Sequence, residues 1–310
     1  MKLNNASLEA LRKTFGAIYQ EAYQSVQPWA PQLSVRVPSN GKSNVYGWLA
    51  AIPQMREWLG DRQIQNIAEH AFEITNKDYE LTVGVDRNDI EDDQFGVYDP
   101  MLRGIGEASA KNDDYLVVTL LQNGHTSLCY DGQYFFDTDH PVSLFDASLG
   151  TQQNYWSSGK PLTLDNFVAI RAAMAGFLGE NNKPLGIVPD LLVVPPQLEH
   201  IARQITMSSL IVNTAGATPA AGAAGMQNVM MGTARVLMVP ELAGQATTWY
   251  LLATNKAMKP FVVQERRASE FLYLGTGSEH AQKSKKHLFG VDKRGAAGYG
   301  VWFQAAKCVG

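Results

Sequence analysis

The sequence contains few cysteines and no long apolar run. Its two cysteines, Cys129 and Cys308, lie far apart in apolar surroundings, which favours buried, reduced thiols over a disulfide scaffold. No run approaches the roughly 18 consecutive apolar residues that a membrane-spanning helix needs, and residues 1–20 lack the apolar centre of a signal peptide. We therefore expect neither a membrane-spanning chain nor one exported by a signal peptide.

An excess of basic residues is also missing. The 26 basic and 30 acidic residues give a formal net charge of −4, and both signs are mixed along the chain. Tight nucleic-acid binding relies on clustered Lys and Arg. One short basic patch exists, and it predicts no more than weak, non-specific contact with DNA phosphates. It consists of Lys283, Lys285, Lys286, Lys293 and Arg294.

The familiar motifs of catalysis are absent as well. The chain contains no phosphate-binding loop, no complete dinucleotide-binding turn, no Gly-x-Ser-x-Gly elbow, no His-Glu-x-x-His and no Cys-x-x-Cys. The sequence therefore predicts no catalytic residue and no bound cofactor, and the chain is not expected to be an enzyme.

One cluster has residue types that suit chemistry: Asp131, Asp137, Asp139 and His140. Carboxylates with an imidazole can hold a divalent metal for hydrolysis, so a metal-dependent hydrolase is an alternative function. Turn chemistry explains the same residues without a metal, because Asp followed by Gly favours a hairpin turn and Asp caps strand ends. The turn interpretation is favoured, and no metal site is expected.

Hydrophobic residues form 45% of the 310 residues, enough for a substantial core. Apolar residues at helical spacing predict helices over residues 4–26 and 100–124 and a third after Thr163, with Asp99 as the cap of the second. Alternating or continuous apolar runs predict strands and turns elsewhere. The strands are expected at 44–50, 79–85, 190–194, 234–239, 249–253, 261–264, 271–274 and 300–308, with hairpins between 125 and 160 and a helix at 197–204.

Residues 44–86 are unusual because strand-like flanks enclose a region rich in aromatic residues. Composition alone favours a small α+β subdomain that packs on its own body. The alternative is that a neighbouring subunit buries these side chains, as large obligate interfaces do. The apolar stripe of helix 4–26 is expected to find its cover on a neighbour too. The expected interface anchors are Trp48, Trp58, Leu59 and Phe72, although each can instead pack within its own subunit.

The order of these segments resembles the α+β fold of tailed-phage major capsid proteins, the Johnson fold. The local sequence is similar to the major head subunit of Mu-like phages over essentially the whole chain. Three stretches carry this resemblance: Glu80–Asp93, Tyr130–Pro141 and Pro189–Glu199. They indicate relatedness and specify no reaction.

The resemblance implies a division of the chain into five parts. Residues 1–43 would form an N-terminal arm and residues 44–86 an extended E-loop. Residues 87–186 would form the P domain, with a spine helix at 100–124. Residues 187–275 would form the A domain, with the Gly- and Ala-rich stretch 213–225 as its loop, and residues 276–310 would return to the body.

The resemblance also implies a structural function. Copies of the chain would form hexamers and pentamers that close an icosahedral phage head around double-stranded DNA, assembled in the cytoplasm of a bacterial host. A separate scaffold or protease protein is an expected partner, because only residues 1–43 precede the expected E-loop. A portal and decoration proteins are the other expected partners. No Lys, Asn and Glu match the pattern of covalent cross-linking found in some relatives, so a non-covalent shell is expected. A minor head or tail protein is the remaining alternative.

Overall fold

The computed structural model describes residues 5–46, 72–92, 95–144, 146–179, 182–211, 226–274 and 286–310. Helices and strands are mixed along the chain, as the α+β prediction requires. The helices are α1 Asn5–Ser25, α2 Ala30–Leu33, α3 Arg87–Glu91, α4 Asp99–Ala110, α5 Asn112–Asn123, α6 Leu164–Ala175 and α7 Glu199–Met207.

Within the described ranges, two larger sheets organise the strands. One has the order β1-β13-β14-β4, and the other has the order β11-β8-β12-β15-β7. Three two-stranded pairs are separate from them: β2 with β3, β5 with β6, and β9 with β10. The strands are β1 Ser34–Pro38, β2 Ser43–Tyr46, β3 Phe72–Thr75, β4 Lys77–Asp86, β5 His140–Pro141, β6 Thr151–Gln152, β7 Tyr155–Trp156, β8 Leu191–Val194, β9 Leu210–Ile211, β10 Met226–Gln227, β11 Arg235–Met238, β12 Thr248–Leu252, β13 Phe261–Leu274, β14 Lys286–Tyr299 and β15 Ala305–Val309.

The five-stranded sheet lies at the centre of the larger hydrophobic core. Every residue of β8 and β12 is buried, which explains why both strands are nearly continuous apolar runs in the sequence. Helix α6 begins at its predicted position because the Thr163 side chain accepts a hydrogen bond from the Asn166 backbone N–H, and it ends at Ala175. The strands predicted at 190–194, 234–239 and 249–253 are confirmed, and each predicted end lies within one residue of the observed end.

Helix α1 has the predicted length, but its apolar stripe is covered within its own chain. Leu11, Phe15 and Tyr19 pack in a second core cluster with residues of α4, β4 and β14. The Phe15 and Phe289 rings meet edge to face at 4.9 Å. The expectation that this stripe is buried on a neighbour was therefore wrong, because the four-stranded sheet and α4 already provide its cover.

Helices α1 and α4 pack closely against each other at Gly106. A Cβ added there would lie 2.7 Å from the Tyr19 carbonyl oxygen and 2.8 Å from the Ala22 Cβ. We expect Gly106→Ala to lower the free energy of unfolding by about 1–3 kcal/mol in urea titrations, since backbone atoms must move apart. Gly104→Ala, on the same helix, is the matched control. A Cβ added at Gly104 has no neighbouring atom within 4 Å, so this variant should raise the free energy of unfolding by up to about 1 kcal/mol. Equal effects of the two variants would contradict this packing.

The predicted helix 100–124 is two helices, α4 and α5, separated at Lys111. The break is followed by Asn112, Asp113 and Asp114. Short polar side chains favour the start of a helix, and the negative charge of the two Asp residues is stabilised by the helix dipole there. Tertiary contacts fix the break, because Asp114 accepts a hydrogen bond from the Ala30 backbone N–H at 2.7 Å. The single-helix prediction was wrong here. Asp99 is the first helical residue and not the cap, which is Tyr98.

The sequence does not predict strand β14. It predicts a basic patch in this region and a strand only from Gly300 onward. Three glycines interrupt the apolar pattern of β14, and all three allow close contacts. A Cβ at Gly298 would lie 2.3 Å from Ile74 Cδ1, one at Gly295 would lie 2.5 Å from the Gln264 carbonyl oxygen, and one at Gly290 would lie 2.9 Å from the Leu81 carbonyl oxygen. The predicted strands 261–264 and 271–274 are one strand, β13, with irregular pairing between Glu265 and Glu270. The last strand begins at Ala305 and not at Gly300, because residues 302–304 form a 3-10 turn.

The predicted hairpins between residues 125 and 160 are shorter than expected. Leu128 and Tyr134 form a single bridge around a turn with Gly132 at a φ of 84°, and β5 and β6 pair over two residues each. Backbone hydrogen bonds outside the strands, such as that from Phe135 to Ser127, and side-chain hydrogen bonds hold the chain here together.

Candidate functional site

The base of the excursion is a rigid structure. Strand β2 pairs with β3, and the ribbon is attached to β13 by buried amide groups. The Tyr46 hydroxyl donates to Gln264 Oε1 at 2.8 Å, and the Gln264 amide donates to Asn76 Oδ1 at 2.6 Å. The Asn76 amide in turn donates to the Ser39 hydroxyl oxygen at 2.8 Å. The ends of the described strands, Tyr46 and Phe72, are therefore held at a fixed position on the body.

Of the four expected interface anchors, the structure describes one. Phe72 lies in β3 opposite Tyr46, is half-buried, and packs against the main core of its own chain. Trp48, Trp58 and Leu59 lie outside the described residues. The assignment of all four as anchors stays a prediction, and the contacts of Phe72 show that its own subunit supplies part of its cover.

The acidic cluster is only partly assembled. His140 Nδ1 lies 2.6 Å from Asp131 Oδ2, and both side chains are almost completely buried. The other His140 ring nitrogen lies 3.2 Å from Asn154 Oδ1. The ring stacks on Trp302 with a centroid distance of 4.0 Å and an interplanar angle of 6°. Asp131 and His140 are thus held together inside the body and are closed to a substrate.

Asp137 and Asp139 do not join this pair. Asp137 accepts hydrogen bonds from the backbone N–H groups of Tyr134 and Thr138, as the turn interpretation predicts. Asp139 is exposed; slight desolvation, together with the neighbouring Asp137 carboxyl group, raises its pKa. Asp131 also accepts from the Gln133 backbone N–H across the turn. The four-residue set expected for a hydrolase is therefore not formed.

Cys129, for which the sequence predicts no role, completes the buried cluster. The Cys129 thiol donates to Asp131 Oδ1 at 2.9 Å, and burial with the adjacent carboxylate raises the pKa of that thiol. Burial alone would raise the pKa of Asp131, but the hydrogen bond and charge of His140 outweigh it and hold that pKa below its usual range. One ligand atom each of Cys129, Asp131 and His140 lie within 4.8 Å of one another. Because these groups already satisfy each other, the arrangement is a structural polar network.

A second polar network joins helix α5 to the four-stranded sheet. Asp113 contacts the Lys293 ammonium and also accepts from Arg36 at 2.8 Å. Arg36 bridges onward to Glu265 at 2.9 Å. These ion pairs connect α5, β1, β13 and β14 beside the break between α4 and α5.

The basic patch of the sequence does not form one surface. Lys293 is buried in the ion pair with Asp113, and Arg294 lies beside Asp78 at 3.6 Å. Lys286 is exposed at the start of β14, whereas Lys283 and Lys285 lie outside the described residues. The prediction of a five-residue basic patch was thus wrong for Lys293, which is directed toward a carboxylate and not toward solvent.

No helix among the described residues is long and apolar enough to cross a membrane.

A comparison with protein families matches nearly the whole chain. The profile described as "Mu-like prophage major head subunit gpT" covers residues 8–155, 144–242 and 238–309. The major capsid protein of Escherichia phage Mu is 28% identical over 100% of this chain and 76% of its own length. The Mu-like prophage FluMu major head subunit of Haemophilus influenzae is 27% identical over 96% of this chain and 71% of its own length.

Solved structures agree with this assignment. A chain of the procapsid of bacteriophage JBD30 has a TM-score of 0.59 and 29% identity, covering 99% of this chain and 76% of that chain. A virus-like particle from Pyrococcus furiosus has a TM-score of 0.54 at 10% identity, covering 96% of this chain and 98% of that chain, which shows a shared fold alone. The tailed-phage capsid fold expected from the order of segments is confirmed, and the chain belongs to the family of Mu-like prophage major head subunits, which are structural proteins of the phage capsid.

Proposed function

We propose that copies of this chain form hexamers and pentamers that close an icosahedral head around double-stranded DNA. The observation that carries the proposal is the match to a procapsid chain over 99% of this sequence, at 29% identity and with a TM-score of 0.59. A procapsid is a shell of repeated subunits, so a chain that shares its fold throughout is suited to the same assembly.

Residues 44–71 are proposed to contact the neighbouring subunit. Their base is fixed by the buried amides of Gln264 and Asn76, so an extended segment would be presented in a defined direction. Trp48, Trp58 and Leu59 would supply the apolar contact area, and Phe72 would contribute the part of its ring that its own core leaves open. Function in this proposal depends on surfaces and requires no cofactor.

The proposed partners follow from the same assembly. A separate scaffold or protease protein would guide the shell, and a portal would occupy one vertex. One of the similar JBD30 structures is a capsid decorated with minor capsid protein trimers, which supports a decoration protein here. Packaged DNA would be contacted weakly and non-specifically, since the net charge is −4 and Lys293 is buried. The head would assemble in the cytoplasm of the bacterial host.

Co-expression with the scaffold protein and negative-stain microscopy tests this function. We expect closed shells from the parent chain, and a loss of at least about tenfold in shell yield from Trp58→Ala with an unchanged melting temperature of the subunit. Tyr134→Ala is a control, because that ring is 43% exposed and lies outside the excursion. Dispersed monomers from the parent chain would contradict the assembly, and normal shells from Trp58→Ala would remove Trp58 as an anchor.

The shell is proposed to be non-covalent. Mature particles boiled in denaturant should therefore migrate as single subunits on a gel. A ladder of cross-linked species would refute this part of the proposal.

A further inference from the structure

A cavity of about 250 Å³ lies between helices α4 and α5 and the four-stranded sheet. We name it the junction cavity, because it adjoins the break between the two helices at Lys111. Ser109 and Asn112 line it from either side of this break, and Ser269 lines it from the irregular stretch of β13 between Glu265 and Glu270. Its volume lies below the roughly 300–1,000 Å³ of sites for drug-sized ligands, so it suits a small molecule.

The walls of the junction cavity are mostly apolar. Leu81 of β4 and Val291 of β14 are partners in the sheet, and both line the cavity. Ala108 lines it from α4, and Tyr79 and Tyr115 add two aromatic side chains. A ligand must therefore bring an apolar portion to contact these walls, which a hydrated metal ion does not have.

Two acceptor atoms in residues of the cavity lining lack a donor. Asn112 Oδ1 and Asp292 Oδ1 are buried, and neither has a hydrogen-bond partner among the described residues. The other oxygen of Asp292 accepts from Arg267 at 2.8 Å, so this carboxylate is only half satisfied. Buried polar atoms without a partner are rare and costly in folded proteins. Both atoms are acceptors, so the group that would satisfy them is a donor.

The charges of the lining favour a positively charged donor over a neutral one. Glu80 and Asp292 are its acidic residues and Lys293 is its basic residue. The Lys293 ammonium group is already paired with Asp113. Aromatic side chains such as that of Tyr79 attract cations as well. A ligand with a positive charge would therefore be stabilised here, and a carboxylate ligand would be repelled.

We infer that the junction cavity binds a short primary alkylammonium ion. The ammonium group carries three N–H donors, enough to supply Asn112 Oδ1 and Asp292 Oδ1. The alkyl chain would lie against Leu81 and Val291. This binding goes beyond shell assembly and is a property of the single subunit, so it can be measured without forming shells.

Calorimetric titration of the purified subunit tests the ligand chemistry. The ligands are n-butylammonium chloride, n-butanol and sodium butyrate, which share an alkyl chain and are compared at equal ionic strength. We expect the ammonium ion to bind at least about tenfold more tightly than n-butanol, because hydrogen bonds from a charged donor are stronger, and butyrate not to bind. No binding of the ammonium ion, or equal binding of n-butanol, would overturn the inference.

Two variants test the location of the site. Asp292→Asn removes the negative charge and should weaken n-butylammonium binding by about tenfold. Its matched control is Asp78→Asn, in β4, where the carboxylate is 69% exposed and lies outside the cavity lining. Ala108→Leu fills part of the cavity from α4 and should weaken binding to a similar degree, whereas Ala10→Leu, at an exposed position of α1, should not.

Melting curves must show that each variant folds as the parent does. If Asp292→Asn fails to fold, Ala108→Leu still decides the question. Parental affinity in either folded variant would overturn the inference. Shell yield with the scaffold protein is a separate measurement, so parental shells without amine binding would leave the capsid function intact.

Discussion

Asp131→Ala is expected to lower the free energy of unfolding by about 3–5 kcal/mol, the usual range for breaking a buried pair. The Asp131 carboxylate is the common acceptor of the Cys129 thiol, the Gln133 backbone N–H and the His140 ring. Its removal leaves the Cys129 thiol, the Gln133 N–H and His140 Nδ1 without this acceptor in a region largely closed to water. Urea titration monitored by tryptophan fluorescence measures the loss.

Asp139→Ala is the matched control for this prediction. It removes the same side chain from the same loop, but at an exposed position, so its effect should stay within about 0.5 kcal/mol. Asp131→Asn separates charge from shape: the amide retains one oxygen for Gln133 and Cys129 but presents N–H groups where His140 needs an acceptor. A loss for Asp131→Ala no larger than that for Asp139→Ala would show that the network does not stabilise the fold.

The elements that the sequence predicted well are those with local causes. Helix α1 has apolar residues at regular helical spacing, and α6 has its cap at Thr163. Strand β8 is a continuous apolar run that ends before Pro195 and Pro196. In each case the pattern within a few residues determines the backbone, so no knowledge of the remaining chain is required.

The elements that were missed depend on distant contacts. The glycines of β14 suggest a loop until Ile74 and Gln264 are seen to approach them closely. The break at Lys111 depends on Ala30, a partner for Asp114 from far upstream in the sequence. The cover of α1 comes from α4 and from strands near the other end of the chain, so its stripe alone cannot distinguish its own body from a neighbour.

The buried cluster shows an intermediate case. Asp131 and His140 were identified from their residue types, and the structure brings them together. Cys129 was missed, because its contact with Asp131 depends on the turn that brings the thiol within 2.9 Å of the carboxylate. What the sequence could not show is burial, which turns a set that resembles a metal site into a structural network.

Lys307 leads to the second large prediction, which concerns pH. Its side chain is almost fully buried in β15, with Nζ 3.0 Å from His125 Nδ1 and 5.5–5.9 Å from the ring centres of Phe136, Tyr155 and Tyr250. The rings favour an ammonium group, but desolvation is the stronger effect, and burial lowers the pKa of Lys307 to about 8. The folded state therefore holds this proton less tightly than the unfolded chain.

The sign of the pH dependence follows from this difference. Below pH 8 Lys307 is protonated in both states, and the fold bears the full desolvation penalty. Between about pH 8 and the ordinary lysine pKa near 10.4 the unfolded chain binds more protons, so stability rises with pH. From pH 7 to pH 10.5, the free energy of unfolding of the parent should rise by about 3 kcal/mol relative to that of Lys307→Met. The comparison with Lys307→Met removes the effect of the ionising tyrosines, because both proteins contain them.

Lys111→Met is the control, because it removes an exposed ammonium group at the junction of α4 and α5 and should differ from the parent by less than about 0.5 kcal/mol at either pH. Urea titrations at the two pH values give the difference directly. At pH 7, Lys307→Met is expected to be at least as stable as the parent, since a buried charge is replaced by an apolar chain of similar length. A stability gap between the parent and Lys307→Met that stays constant over this range would mean that the ammonium group reaches water in the folded subunit.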